Sequence, residues 1–165
     1  MAKQPEYRLQ VLLELRQRKK DETERALGAA LVAHKGELDK QQQMEAELAR
    51  MLAKREQRRR EYAEKAMRGE MSARDVTGAQ TYLERLEEQE DAQKNAIEAQ
   101  KAVVADKQRE VDTARAALVK ANQELKALEK HKEKHTEEWK KEMQAKEEEA
   151  MDELAQQIFL RGERY

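Results

Sequence analysis

The sequence predicts an all-α protein whose two long helices form an antiparallel coiled-coil hairpin. Three observations carry that reading. The first is composition. Charged residues make up 42% of the chain and aromatics 4%, with a mean hydropathy of -1.16, too little apolar surface for a layered core. High charge with low hydropathy also marks disorder, but here acids and bases interleave and the net charge is only -1. Strong helix formers dominate, so long helices with ion pairs at i, i+4 are expected.

The second observation is a seven-residue ladder from Leu83: Leu83, Glu90, Ile97, Val104, Val111, Leu118, Leu125, Lys132 and Trp139. Most positions are apolar and several are β-branched, as the a position of a coiled coil prefers. A companion seam three residues later runs through Leu86, Gln93, Gln100, Lys107, Ala114, Ala121, Leu128 and His135. It is polar or small in the middle, which predicts a soft centre. The third observation is "MRGEMSARDVTG", residues 67–78, the one patch of turn chemistry in the interior.

The elements follow in order. Helix one is expected at about residues 6–68, after Pro5, which is tolerated at a helix start. Its apolar positions are Leu9, Leu12, Leu13 and Leu15, then Leu27, Leu31, Leu38, Leu48 and Leu52, with Arg55, Arg59 and Tyr62 continuing the stripe. The turn falls at about 69–72. Gly69 takes the left-handed conformation that closes a helix, and Ser72 with Asp75 forms an N-cap with an acid three residues on. Helix two is expected at about 73–160. A chain reversed at such a short connection pairs positions whose numbers sum to roughly 143. Residues 1–68 carry a net charge of +5 and the remainder -6, which favours pairing of the two arms. The chain is expected to be a single domain, with residues 143–165 projecting past the start of helix one.

Several functions are excluded or disfavoured. Cysteine is absent, which removes disulfides and thiolate metal sites. "MAKQPEYRLQ" has no apolar signal region, Ala2 removes a myristoylation site, and no stretch is apolar enough to span a membrane. A cytoplasmic protein is expected. His131 and His135 stand one turn apart in "HKEKH", but no further ligand completes a metal site, so solvated helix is the reading. The basic run "KREQRRREY", residues 54–62, is expected to pair across the hairpin with Glu84, Glu87, Glu88, Glu90 and Asp91 instead of binding nucleic acid. No phosphate loop, nucleophile–base pair or cleft carboxylate pair is present, so no enzyme and no cofactor are expected. In the C-terminal run, Met151, Leu154, Ile158 and Phe159 form an apolar stripe with no partner in the hairpin. It either docks on another protein or caps the bundle in a different register.

An apolar N-terminal cluster ("YRLQVLLELRQRKKDE"), a Tyr before the turn ("RREYAEKAMRGEMSARDV"), "TYLERLEEQ" after it and the ending "AMDELAQQIFLR" together resemble the stalk proteins of type III secretion. These are the flagellar export protein FliJ and its YscO-type injectisome counterparts. The resemblance spans nearly the whole chain. It implies a non-enzymatic, monomeric central stalk, peripheral to the inner-membrane secretion apparatus. The paired termini of such a stalk enter the pore of a hexameric export ATPase, and its other end reaches the export gate. The ATPase-facing surface would be Leu9, Leu12, Leu13 and Arg16 with Leu154, Ile158 and Phe159. The gate-facing surface would be Tyr62, Tyr82, Leu86 and Gln89. Secretion chaperones are a further implied partner. The other reading is a structural or chaperone-like coiled-coil scaffold.

Overall fold

The structure, a computed structural model, describes residues 3–163. Ala2, Arg164 and Tyr165, which entered the expectations above, lie outside them. Two helices make up almost all of it, α1 (Gln10–Met67) and α2 (Ala73–Gly162). They run antiparallel, and no strand occurs among the described residues. The chain divides into two compact units. One contains the turn and covers Ala26–Arg115. The other joins the chain up to Arg25 with the chain from Ala116 onward.

In the Ala26–Arg115 unit the turn explains why α1 stops and α2 starts. Gly69 adopts a φ of 69°. Its N–H donates to the Ala66 carbonyl at 3.1 Å and the Glu70 N–H to the Lys65 carbonyl at 3.0 Å, the paired bonds of a Schellman closure. Three residues on, the Asp75 N–H donates to Ser72 Oγ at 3.2 Å and the Ser72 N–H to Asp75 Oδ2 at 3.0 Å, the reciprocal capping box expected from sequence. Gly69→Ala puts a Cβ into the left-handed region and is expected to lower stability by about 1 kcal/mol in denaturant titration.

The hydrogen bonds from Ser72 hold the Asp75 carboxyl below its ordinary value. A depressed folded-state value means that this stabilisation is present above the unfolded value and is lost as pH falls through the folded one. Acid titration below about pH 4 should therefore fray the start of α2, read as loss of amide-exchange protection at residues 75–78. Asp75→Asn should fray it already at neutral pH.

The α2 seam matches the two ladders. Buried or half-buried positions run through 79, 83, 86, 90, 93, 97, 100, 104, 107, 111 and 114 in this unit, and through 118, 121, 125, 128, 132, 135, 139 and 143 in the terminal unit. Val111, at 1% exposed, and Leu125, at 5%, are the best-covered apolar residues of their units apart from the small Ala121. On α1 the covered stripe is Leu27, Ala30, His34, Glu37, Gln41, Met44, Leu48, Met51 and Arg55. Leu31 and Leu52, expected within it, are 40% and 37% exposed. Two helices bury only the alternating 3–4 positions, so these leucines fall on the flank and Ala30 and Met51 take the seam.

The polar middle of the seam is hydrogen-bonded where a soft centre was expected. Gln93 Nε2 donates to the Met44 carbonyl at 3.0 Å, and Gln100 Nε2 donates to the Glu37 carbonyl at 2.9 Å and to Glu37 Oε2 at 2.6 Å. Glu90, only 1% exposed, accepts both bonds from Arg55 Nε, at 2.8 and 3.0 Å. That carboxylate raises the guanidinium above its ordinary value. A charge pair facing across a seam tolerates few other alignments and so fixes register. The rest of the basic run departs from expectation. Arg58 pairs with Glu61, and Arg59 and Arg60 pair with Glu56, all within α1. These arginines pair along their own helix and not with the acids of α2. Arg59 and Arg60 hold the Glu56 carboxyl down at about 2.

Candidate docking surfaces

The terminal unit is organised by a strap ahead of α1. The helix begins at Gln10, later than the expected position 6, because residues 3–9 are drawn across α2. Tyr7 is 8% exposed, and its hydroxyl shares a hydrogen bond with His131 Nδ1. Its ring lies 5.6 Å from that of His131 and 5.5 Å from that of His135, tilted by 45° and 58°. Gln4 Nε2 donates to Thr136 Oγ1 at 3.2 Å, and the Gln10 N–H to the Tyr7 carbonyl at 2.9 Å. The two histidines are therefore a seat for Tyr7 as well as part of a solvated helix, since His131 stays exposed and His135 is half-buried. No cluster of three or more potential metal ligands occurs among the described residues.

Below the strap, Lys132 Nζ donates to Gln10 Oε1 at 2.9 Å, and Arg16 Nη1 to Glu124 Oε2 at 2.5 Å. These pairs place the start of α1 level with residues 124–132 of α2. Leu13 and Arg16 accordingly face α2 and are half-buried, whereas Leu9 and Leu12 are each 37% exposed. Val11 and Leu15, which the resemblance did not assign to the surface, are more open still.

Past Met143, no residue of α2 is covered, up to its end at Gly162. Leu154, Ile158 and Phe159 are 56%, 63% and 67% exposed, joined by Met151 and Leu160. On a 100° wheel Met151, Leu154, Ala155, Ile158 and Phe159 share one arc. Adjacent large apolar side chains without cover mark an interaction site. The alternative, that this segment caps the bundle, does not match its exposure.

Of the residues assigned to the other end, Tyr62 and Tyr82 are half-buried and Gln89 is exposed. Leu86 is 8% exposed. It occupies the seam itself and offers no surface, because the heptad that begins at Leu83 turns position 86 toward α1. Tyr82 lines a shallow groove with Arg74, Thr77, Gly78, Thr81 and Arg85. Tyr7 was the functional candidate that sequence reasoning missed. The available signal was register, since a sum near the expected one sets Tyr7 opposite His131 and His135.

No helix of the described chain is long and apolar enough to cross a membrane. A profile of the YscO-like protein family matches residues 4–165. Among solved structures, the chain resembles one described as a candidate YscO homolog, CT670 from Chlamydia trachomatis. The TM-score is 0.82 at 21% identity, over 98% of this chain and 99% of that one, and at that identity the likeness concerns the fold. No curated protein matches the chain. With the family profile covering almost every residue of a two-helix fold shared with a YscO candidate, this chain belongs to the YscO-like family of proteins associated with type III secretion.

Proposed function

We propose that the protein is a non-enzymatic central stalk of the type III secretion ATPase, acting as a single copy at the cytoplasmic face of the secretion apparatus. Its two ends of chain enter the pore of the hexameric ATPase, and the turn end reaches the export gate. The observation that carries this reading is the uncovered stripe Met151–Leu154–Ile158–Phe159, in the same compact unit as the exposed Leu9 and Leu12. A segment that exposes this much apolar surface at the end of a long helix is built to be buried by another protein.

One asymmetric stalk inside a six-fold ring makes unequal contacts with the subunits, so it biases them differently and promotes assembly and turnover. The gate contact would fall to Tyr62, Tyr82 and Gln89, with Leu86 acting only through the seam. Secretion chaperones are a further proposed partner. FliJ-type flagellar and YscO-type injectisome roles share this mechanism, and the family match supports the second. The test is direct: purified protein added to the cognate export ATPase should bind it and raise hexamer formation and hydrolysis rate. Absence of both binding and stimulation would leave the scaffold reading in its place.

A further inference from the structure

Local signals and tertiary contacts disagree at the start of α1. The Leu9 carbonyl accepts from the Leu13 N–H at 2.8 Å, so Leu9 stands in the N-cap position. Leucine has no side-chain oxygen and is among the poorest caps. The first turn of α1 also holds no acid for the helix dipole to favour. Four residues earlier the signals are better. Pro5 suits the first position of a helix, and Glu6 would put an acid in its first turn. A helix opened at Pro5 would give the Arg8 and Leu9 N–H groups acceptors in the Gln4 and Pro5 carbonyls.

Residues 5–9 cross α2 as a strap instead, and one side chain holds them there. Of residues 3–9 only Tyr7 is buried. Its ring lies against His131 and His135, and its hydroxyl bonds to His131 Nδ1. The other side-chain tie, from Gln4 to Thr136, is exposed. We infer that residues 5–9 are a latch with two states. One is the strap, held by Tyr7 in its histidine seat. The other is an N-terminal extension of α1 by about one turn, formed when Tyr7 leaves that seat.

The extended state fits the packing of the rest of α1. Near its start the covered positions are Leu13, Arg16, Lys20 and Thr23. Glu6 and Leu9 lie seven residues before Leu13 and Arg16, so a longer helix turns both toward α2. Tyr7 lies seven before the exposed Glu14 and turns outward. Gln10 is level with Lys132, which sets Glu6 level with about residue 136, next to the His135 that Tyr7 has left. A segment whose local preference opposes its tertiary contacts, with a second packing available, has two states close in energy. The latch decides where Leu9 points. In the strap state Leu9 is 37% exposed beside Leu12, and in the extended state it joins the seam. Tyr7 would thereby control the α1 part of the ATPase-facing surface. That consequence rests on the stalk reading, whereas the latch itself does not.

The test uses the purified full chain alone, read by backbone NMR shifts and amide exchange at residues 5–10. In the wild type these shifts should be non-helical up to Leu9. Tyr7→Ala should turn the shifts of residues 5–9 helical and slow exchange of the Leu9 amide by about threefold or more. His131→Ala/His135→Ala removes the seat and keeps Tyr7, and it should do the same. Tyr7→Ala/Leu9→Asp supplies a proper cap at position 9 and should return residues 5–9 to non-helical shifts. Unchanged shifts in the remainder of α1 and in α2 show that each variant is folded. Helical shifts at residues 5–9 of the wild type would overturn the proposal. So would residues 5–9 of Tyr7→Ala that turn to coil or keep their wild-type shifts, or a histidine double variant in which they do not become helical.

Discussion

Serine at positions 154, 158 and 159 is expected to abolish stimulation of the export ATPase while the thermal unfolding midpoint stays within error of the wild type. The separation follows from where these side chains are. Leu154, Ile158 and Phe159 are all more than half exposed, on a stretch of α2 with no cover from α1, so truncating them removes little packing from the folded chain. On docking, each would bury the apolar surface it now leaves in water. Three such side chains are worth on the order of 5 kcal/mol together, a thousandfold or more in affinity.

Arg16 requires a different design, because it already pairs with Glu124 at 2.5 Å. Arg16→Glu sets two carboxylates together, so lost stimulation would confound docking with stability. The exchange Arg16→Glu/Glu124→Arg restores the pair with its charges reversed. If the ATPase reads the Arg16 charge, the exchange variant regains its melting temperature and still fails to stimulate. Undiminished stimulation by the triple-serine protein would sink the stalk reading at its central observation.

Leu125→Ala is expected to destabilise the protein by about 2–4 kcal/mol, and Leu31→Ala by less than about 1 kcal/mol. Both are leucines of a coiled-coil stripe, and propensity alone treats them alike. Leu125 is 5% exposed at the seam, and truncating it opens a cavity between two helices with little else to fill it. Leu31 is 40% exposed on the flank and gives up only part of its cover. Denaturant midpoints at constant m-value measure both. Equal effects would mean that the covered stripe of α1 runs through the leucines after all.

This contrast marks how far periodicity reaches. The α2 ladder was legible because its apolar residues repeat every seven positions from Leu83 to Leu125, with Glu90 the one interruption. Gly69, Ser72 and Asp75 were legible as a closure and a cap because each satisfies backbone groups within a few residues of itself. In α1 the leucines are scattered at several spacings, so the sequence admits two neighbouring stripes. The facing helix chooses the one with Ala30 and Met51.

The docking surfaces divide in the same way. The apolar arc near residue 155 is a local pattern on one helix, visible in the order of residues. Its lack of cover is a consequence of the level at which α1 begins. That level is held by contacts more than a hundred residues apart, Tyr7 with His131 and Arg16 with Glu124. Leu86 shows the reverse, since a residue expected on a surface by resemblance is carried into the seam by the heptad.

Two helices, the turn between them and the seam of α2 were thus readable in the order of residues alone, because backbone hydrogen bonding and seven-residue periodicity act over short stretches of chain. The stripe of α1 that faces α2, the seat of Tyr7 and the polar contacts of Gln93 and Gln100 were decided only by the tertiary structure. Each depends on which groups of a distant segment lie opposite, and helical periodicity is the same whether a side chain meets a partner or water.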